Sequence, residues 1–333
     1  MTAVATSDDR LGDALASLDR LADERGVSLE RDAPIGPLTT LRVGGPADRL
    51  ATANSTGELR EVLDVARIPS LPVFILGKGS DLAVADAGIR GLVIRNRADE
   101  MHGSGDPPTR WVIASGAPMA MVVKRFTALA LTGLEFGISI PGTVGGAVWA
   151  NAGAHGREMR DVVRGVETVD PGDGATRSFD LDVCEFGYRE SRFKHSPEVI
   201  TEAVIEVSPG DGAAIAAQVD EYQAHRRQTQ PLADQNAGSV FRNPPGDHAG
   251  RLIDMAGLKG FRIGSAEVSR LHANFIVSDR SGRAADVRRV GDHVRAEVAG
   301  RFGVELAYEI EFVGDWGGDG QWATPTSSLE GAP

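Results

Sequence analysis

GLEFGISIPGTVGGAVWANAGAHG, residues 133–156, holds seven glycines and one proline among residues that are otherwise mostly apolar. A flexible linker would be polar, so this stretch must be packed and sharply bent at once. Pro141-Gly142 marks a turn, since proline presets φ and glycine tolerates positive φ. Gly145-Gly146 is expected to open a short apolar helix, Ala147-Val148-Trp149-Ala150, that ends near Gly153. Two glycines there would let an anion reach bare N–H groups at the positive end of the helix. Glycines also mark bulges and close backbone crossings, and the stretch alone leaves both readings open.

The chain has 333 residues, enough for two or three domains and a sizeable core. Hydrophobic residues make up 41%, yet no run approaches the roughly 18 apolar residues of a membrane span. The opening MTAVATSDDR has no basic start and no apolar centre, unlike a secretory signal. One cysteine, Cys184, excludes a disulfide framework and a multi-thiolate metal site; it reads as a small buried hydrophobe. Seven histidines show no paired metal spacing, so no metal is expected. A soluble, cytoplasmic protein follows. The net charge of −12 argues against nucleic acid as a partner. Between Arg226 and Arg262, however, six basic residues face three acids, an island suited to an anionic small molecule.

Residues 8–25 read as an amphipathic outer helix with Leu11, Leu15, Leu18 and Leu21 on one face. Pro37 to Pro46 reads as a strand entering a glycine turn at Val43-Gly44-Gly45. Ser55 and Glu58 form a capping box for a helix carrying Leu59, Val62 and Leu63. The strand Val73–Leu76 runs into Gly77-Lys78-Gly79-Ser80-Asp81, and Ile89–Ile94 is another strand. This turn lacks the earlier glycine of a Walker loop, and Leu82 stands where a Rossmann fingerprint needs its third glycine. What remains is a glycine–serine turn whose N–H groups can nest a phosphate. The polar Gly103–Pro108 break reads as a boundary. Beyond it come a strand at Trp111–Ser115, a helix at Met119–Leu131, strands at 161–170, 176–179 and 199–207, and a helix at Ala213–Gln228. After Gln230 come helices at Ala249–Ala256 and Ala284–Phe302, and strands at Asn274–Ser278 and Val304–Phe312.

Three motifs carry reactive groups: Tyr188-Arg189 in FGYRES, Gly238-Ser239 followed by Arg242 and Asn243, and Glu309 within an expected apolar strand. Together with PLTTLRVGGPA, LGKGSD, IPGTVGGA, NAGA, GLKG and HANFIVSD, in this order of the chain from Pro37 to Gly314, they closely resemble one family. It is UDP-N-acetylenolpyruvoylglucosamine reductase, the MurB flavoenzymes of peptidoglycan precursor synthesis.

The resemblance implies an α+β protein with a flavin-binding domain of the vanillyl-alcohol-oxidase type. Its two α/β subdomains would cover 31–97 and 98–228, and an α/β substrate-binding domain 229–313. Residues 1–30 would be a helical extension and 314–333 a disordered tail. By position, FAD would be held by Val43, Gly44, Gly45, the Gly77–Asp81 turn, Pro141, Gly142, Thr143, Gly145, Gly146, Asn151 and Gly153. Arg189, Ser239 and Glu309 match the catalytic trio; Tyr188, Arg227, Arg242, Asn243 and Lys259 match positions for the UDP-sugar. NADPH would enter the same cleft before the enolpyruvyl UDP-N-acetylglucosamine, and the enzyme would act as a monomer. FAD would be non-covalent, for the chain shows no attachment motif.

Arginine suits the grip on a substrate carboxylate, and serine can protonate a very basic enolate within hydrogen-bond reach. Glu309 is expected to carry a proton with substrate bound, or to orient a water or Ser239. The chain departs from the family at Asp81 (usually asparagine), His155 (usually tyrosine) and Ala307-Tyr308 (usually Glu-Pro). The link from Val207 to Gln230 has no room for the tyrosine insertion of one branch. Another FAD-dependent oxidase or dehydrogenase would not need GSVFRNP with a late glutamate. A non-catalytic nucleotide-sugar sensor would not need all three reactive residues.

Overall fold

A computed structural model describes residues 7–317, which form three sheets of four or five strands, each backed by its own apolar core, and three two-stranded pairings. Helix α1 (Ser7–Arg25) buries Leu11, Ala14, Leu18 and Ala22, with Leu15 and Leu21 only partly covered. Alanine at two of the four inner positions lets α1 lie close on α2 (Thr56–Val65). The helix is also tied down by charge: Arg49 grips Asp19 through two bonds of 2.6 and 2.7 Å. Ser55 Oγ accepts the Glu58 N–H at 3.1 Å, while the Glu58 carboxylate returns to Asn54 N rather than Ser55 N.

The first sheet runs Glu30–Pro34, Pro46–Ala53, Ile89–Asn96, Val73–Leu76, the last three parallel and joined through α2. The expected strand over 37–46 is absent. Pro37 has no N–H to give, Thr39 Oγ1 donates to Gly36 O and accepts from Arg42 N, and Arg42 sits at φ 56°. These local bonds consume the groups a ladder would use.

The second sheet is antiparallel: Thr176–Asp180, Val163–Val169, Val199–Glu206, Pro108–Ala114, Met101–Gly105. The polar Gly103–Pro108 segment is therefore the turn of a hairpin inside this sheet, not a boundary. Helices α3 (Met119–Ala128), α4 (Val144–Trp149) and α5 (Gly212–Thr229) belong to this body. Cys184 is buried, bonded to Asp180 O, and its thiol is pushed up by burial to about 11.

The third sheet orders Gln235–Ser239, Phe275–Ser278, Ala266–Val268, Arg262–Ile263, with α6 (Ala249–Met255) and α7 (Ala284–Phe302) against it. The expected strand over 304–312 is shorter: only Glu311–Val313 is extended in a ladder, and its partner is Leu82–Val84 of the first body, in parallel. Residues 314–317, assigned to a loose tail, are packed: Asp315 N donates to Gly88 O, and Trp316 lies 5.3 Å from Phe312. The rest of that tail, 318–333, and residues 1–6 lie outside the described residues. Among the described residues no helix is long and apolar enough to cross a membrane, and no His, Cys, Asp and Glu group could hold a metal ion.

Candidate active site

Two glycine turns meet face to face. A Cβ on Gly77 would lie 2.7 Å from Thr143 Oγ1, and one on Gly142 would lie 3.2 Å from Ser80 Oγ. Gly79, at φ 59°, rests on Thr39, where a Cβ would come within 2.8 Å of Cα. The N–H groups of Lys78, Gly79, Ser80, Gly142 and Thr143 donate to no acceptor among the described residues. Five donors thus stand without a protein acceptor on two abutting turns, the kind of backbone group from which an anion nest is built. Gly142 needs no positive φ here; a Cβ on it would be tight against the Ser80 hydroxyl alone.

Gly145 is different. The expectation that it exposes a helix-start N–H does not hold, because Val144 N donates to Ala117 O and Gly145 N to Ser115 O at 2.7 Å. A Cβ on Gly145 would stand 2.8 Å from Ser115 Cβ, so this glycine marks a close crossing of α4 over its neighbour. Gly146 and Pro141 are exposed. Gly44 and Gly45 are packed on the turn that follows Leu82–Val84: their Cβ atoms would meet Val84 at 2.6 Å and Asp86 O at 2.4 Å. Val43 is buried in the core of the third body.

Asn151 also departs from its expected part. It is fully buried at φ 41°, and every polar atom is engaged: Nδ2 donates to Gly187 O at 2.7 Å and to Glu158, and Oδ1 accepts from Arg160 N. The Asn151 amide therefore pins the tight turn Gly187–Glu190 and is committed to the fold. That turn holds Arg189 at φ 55°, a conformation non-glycine residues rarely adopt. Gly153 contributes through its carbonyl, which accepts from Arg189 Nη2 at 3.0 Å.

Arg189 Nε meets Glu309 Oε1 at 2.6 Å, each side chain about one-fifth exposed. Burial opposes the guanidinium charge, but Glu309 outweighs it and raises the Arg189 pKa. Glu309 is placed by a short antiparallel run: Arg242 N donates to Ala307 O and Glu309 N to Val240 O at 2.8 Å. Tyr308 turns away, stacked on Phe241 and bonded to Asp292. The unusual Ala307-Tyr308 pair thus sets the register that brings Glu309, not the exposed Glu305, to Arg189. Ser239 ends its strand where the pairing shifts between Asn236 and Ser239, with Gly238 at φ 82°. Such a bulge re-aims the next side chain, and Ser239 Oγ has no protein partner among the described residues.

Tyr188, Arg189, Ser239, Asn243, Lys259 and Glu309 line one cavity of about 390 Å³. Asn243 Oδ1 accepts from Ala249 N at the start of α6, and Lys259 is held by Asp254 at 2.7 Å. Two expected members are not there. Arg227 is exposed and points from α5 into solvent, while its neighbour Arg226 is drawn in and bonds Gln230. Arg242 pairs with Glu190 at 3.6 Å outside the lining. Motif reading missed His248, Arg251 and His272, which do line the cavity. The basic island contained Arg251, but its helical phase on α6 was not read. His272 opens the quoted HANF run, and burial followed by Lys259 lowers its pKa.

Residues 230–313 match the C-terminal domain of UDP-N-acetylenolpyruvoylglucosamine reductase, and residues 47–180 match an FAD binding domain. The chain is 43% identical over 289 residues to UDP-N-acetylenolpyruvoylglucosamine reductase 2 of Symbiobacterium thermophilum, covering 87% of this chain and 92% of that one. It is 42% identical over 299 residues to the Heliobacterium modesticaldum reductase, covering 89% and 94%. The crystal structure of the Thermus caldophilus reductase (MurB) superposes with a TM-score of 0.74 at 33% identity, over 86% of this chain and 99% of that one.

Proposed function

The chain belongs to the UDP-N-acetylenolpyruvoylglucosamine reductase family, and on that footing we propose how its own residues reduce the enolpyruvyl ether of UDP-N-acetylglucosamine to UDP-N-acetylmuramate. The reading is carried by one observation: Arg189, Ser239 and Glu309, from two separate bodies, line a single cavity. The nest of free N–H groups at Lys78–Ser80 and Gly142–Thr143 suits the pyrophosphate of FAD, and side chains there would fill the cradle. When bound, FAD supplies hydride to the terminal carbon of the substrate double bond, with NADPH as the reductant.

The protein's part is charge and proton handling. With Nε on Glu309 and Nη2 on Gly153 O, Arg189 keeps Nη1 without a protein acceptor among the described residues, ready for the substrate carboxylate. Negative charge develops toward that carboxylate as hydride adds, and a fixed guanidinium stabilises it. Ser239 Oγ then gives its proton to the neighbouring carbon. Glu309 orients Arg189 in the ion pair seen here, a part that the protonated-acid expectation had not included. Tyr188, Asn243 and Lys259 hold the nucleotide-sugar. We assign 31–97 and 98–228 to the flavin and 229–313 to the substrate, with the last strand returned to the first body, and place the enzyme in the cytoplasm.

The test is NADPH oxidation with and without the enolpyruvyl substrate. Substrate-dependent turnover is expected, with flavin released to the supernatant on acid precipitation. A colourless protein that no flavin reconstitutes, or NADPH oxidation indifferent to the enolpyruvyl sugar, would reject the reading.

A further inference from the structure

Five charged side chains from three segments converge beside the Gly77–Asp81 turn. Asp81 comes from that turn, Arg189 and Lys194 from the segment after Gly187, and Glu309 and Glu311 from the chain's final run. Asp81 O accepts the Glu311 N–H at 3.0 Å, so the turn and the final run are directly joined. The two cations are already engaged. Arg189 holds Glu309 at 2.6 Å, and Lys194 holds Glu311 at 3.1 Å while resting 4.2 Å from the centre of the Trp149 ring. Lys194 is nearly buried, with 8% of its side chain exposed. Asp81 is the odd carboxyl: among the described residues it has no hydrogen bond and no ion pair, and it stands next to two other carboxylates. Lys78 on the same turn and Arg42 on the adjoining segment are exposed.

We propose that Asp81 works as a neutral carboxylic acid, a hydrogen-bond donor toward the bound FAD, and that flavin retention is lost as this proton is lost. The inference rests on the flavin reading above. Three carboxyls with two committed cations leave one negative charge without compensation, and an added pyrophosphate would worsen it. Holding a proton on Asp81 removes the conflict and gives that side chain a donor, as a carboxamide would have. Packing by the surrounding protein, then Glu309 and Glu311, hold the carboxyl of the partly exposed Asp81 well above the usual carboxylate range; Lys194 and Arg189 pull down without prevailing. The sign follows: rising pH ionises Asp81 beside an anionic ligand, so retention falls as pH rises through the raised value and is full below it.

The experiment dilutes the holoenzyme at pH values from 5.5 to 9 and measures free FAD by its fluorescence after ultrafiltration. Wild type should hold flavin at the acid end. Above the Asp81 titration its dissociation constant should rise about tenfold per pH unit, the slope of one linked proton. Asp81→Asn should hold flavin with no such slope. Glu311→Gln removes a negative neighbour, so the same slope should begin at lower pH. Asp81→Ser serves where Asn impairs folding by circular dichroism, and it too should be flat. A wild-type profile without slope, or an Asn or Ser variant that keeps the slope, overturns the proposal. Flavin absent from wild type at every pH would instead reject the FAD reading itself.

Discussion

On the reading proposed above, the glycine crossing and the cavity solve the same problem, anion recognition, in opposite ways. At the crossing the backbone does the work: N–H groups of Lys78–Ser80 and Gly142–Thr143 have no acceptor among the described residues, and Thr143 and Thr39 leave no room for a side chain at Gly77 and Gly79. In the cavity the backbone only delivers, and side chains from remote segments do the chemistry. The crossing is rigid by exclusion, so any added atom should hurt it whatever its chemistry. The cavity is specific by composition, so removal of a single functional group should hurt it without touching the fold.

The largest effect should fall on Ser239→Ala. Flavin reduction by NADPH should stay near the wild-type rate, while reoxidation by the enolpyruvyl substrate slows by about 10²–10⁴-fold, the usual weight of a general acid. Stopped-flow absorbance separates the two half-reactions. Damage to both would place Ser239 with the architecture instead and blur the contrast between the regions.

Next comes Glu309. Its loss in Glu309→Ala frees Arg189 Nε and should slow reoxidation by about 10²-fold, within the range for a transition-state donor left unpositioned. Glu309→Gln keeps an oxygen for that N–H and should retain much more activity. Equal damage in both variants would show that the carboxylate charge itself is needed.

The packing of α4, the helix that follows Gly142–Thr143, is probed by Gly145→Ala, whose Cβ would collide with Ser115 Cβ at 2.8 Å. A cost of about 1–3 kcal/mol is expected from overpacking, read as a lower denaturation midpoint with flavin content falling in parallel. Asn151→Ala tests the link between the regions. Leaving Gly187 O and Arg160 N unpaired should cost about 1–3 kcal/mol, and reoxidation should suffer more than flavin reduction because the Arg189 turn loosens. The smallest effect belongs to Arg227→Ala. An exposed side chain outside the cavity should change stability by less than about 0.5 kcal/mol and leave KM for the UDP-sugar unchanged. A large rise in KM would return Arg227 to the substrate site.

The two regions were not equally legible. Gly77, Gly79 and Gly142 could be read because a glycine required by a near neighbour leaves a local mark. The same mark misled at Gly145, where close packing against Ser115 and anion binding ask for the same residue. Asn151 was unreadable for the opposite reason: its partners at Gly187 and Arg160 are set by tertiary folding, and its amide looks identical whether it faces a ligand or a carbonyl. Periodicity found α1, α2, α5 and α7 closely, yet called strands at 37–46 and 304–312. Thr39 diverted the first into side-chain bonds, and in the second only the end finds a ladder partner. On α5 the basic pair Arg226-Arg227 was seen, but the helical phase that turns Arg227 outward was not.

The pairing of Leu82–Val84 with Glu311–Val313 has a consequence for how the molecule comes into being. A ribosome delivers Leu82–Val84 well before Glu311–Val313, and parallel pairings between distant segments form slowly. Until the final run docks, Glu309 has no fixed position, Lys194 lacks its carboxylate, and Asp81 O has no N–H to accept. The centre is therefore completed only when two segments far apart in the chain, Leu82–Val84 and Glu311–Val313, close their seam.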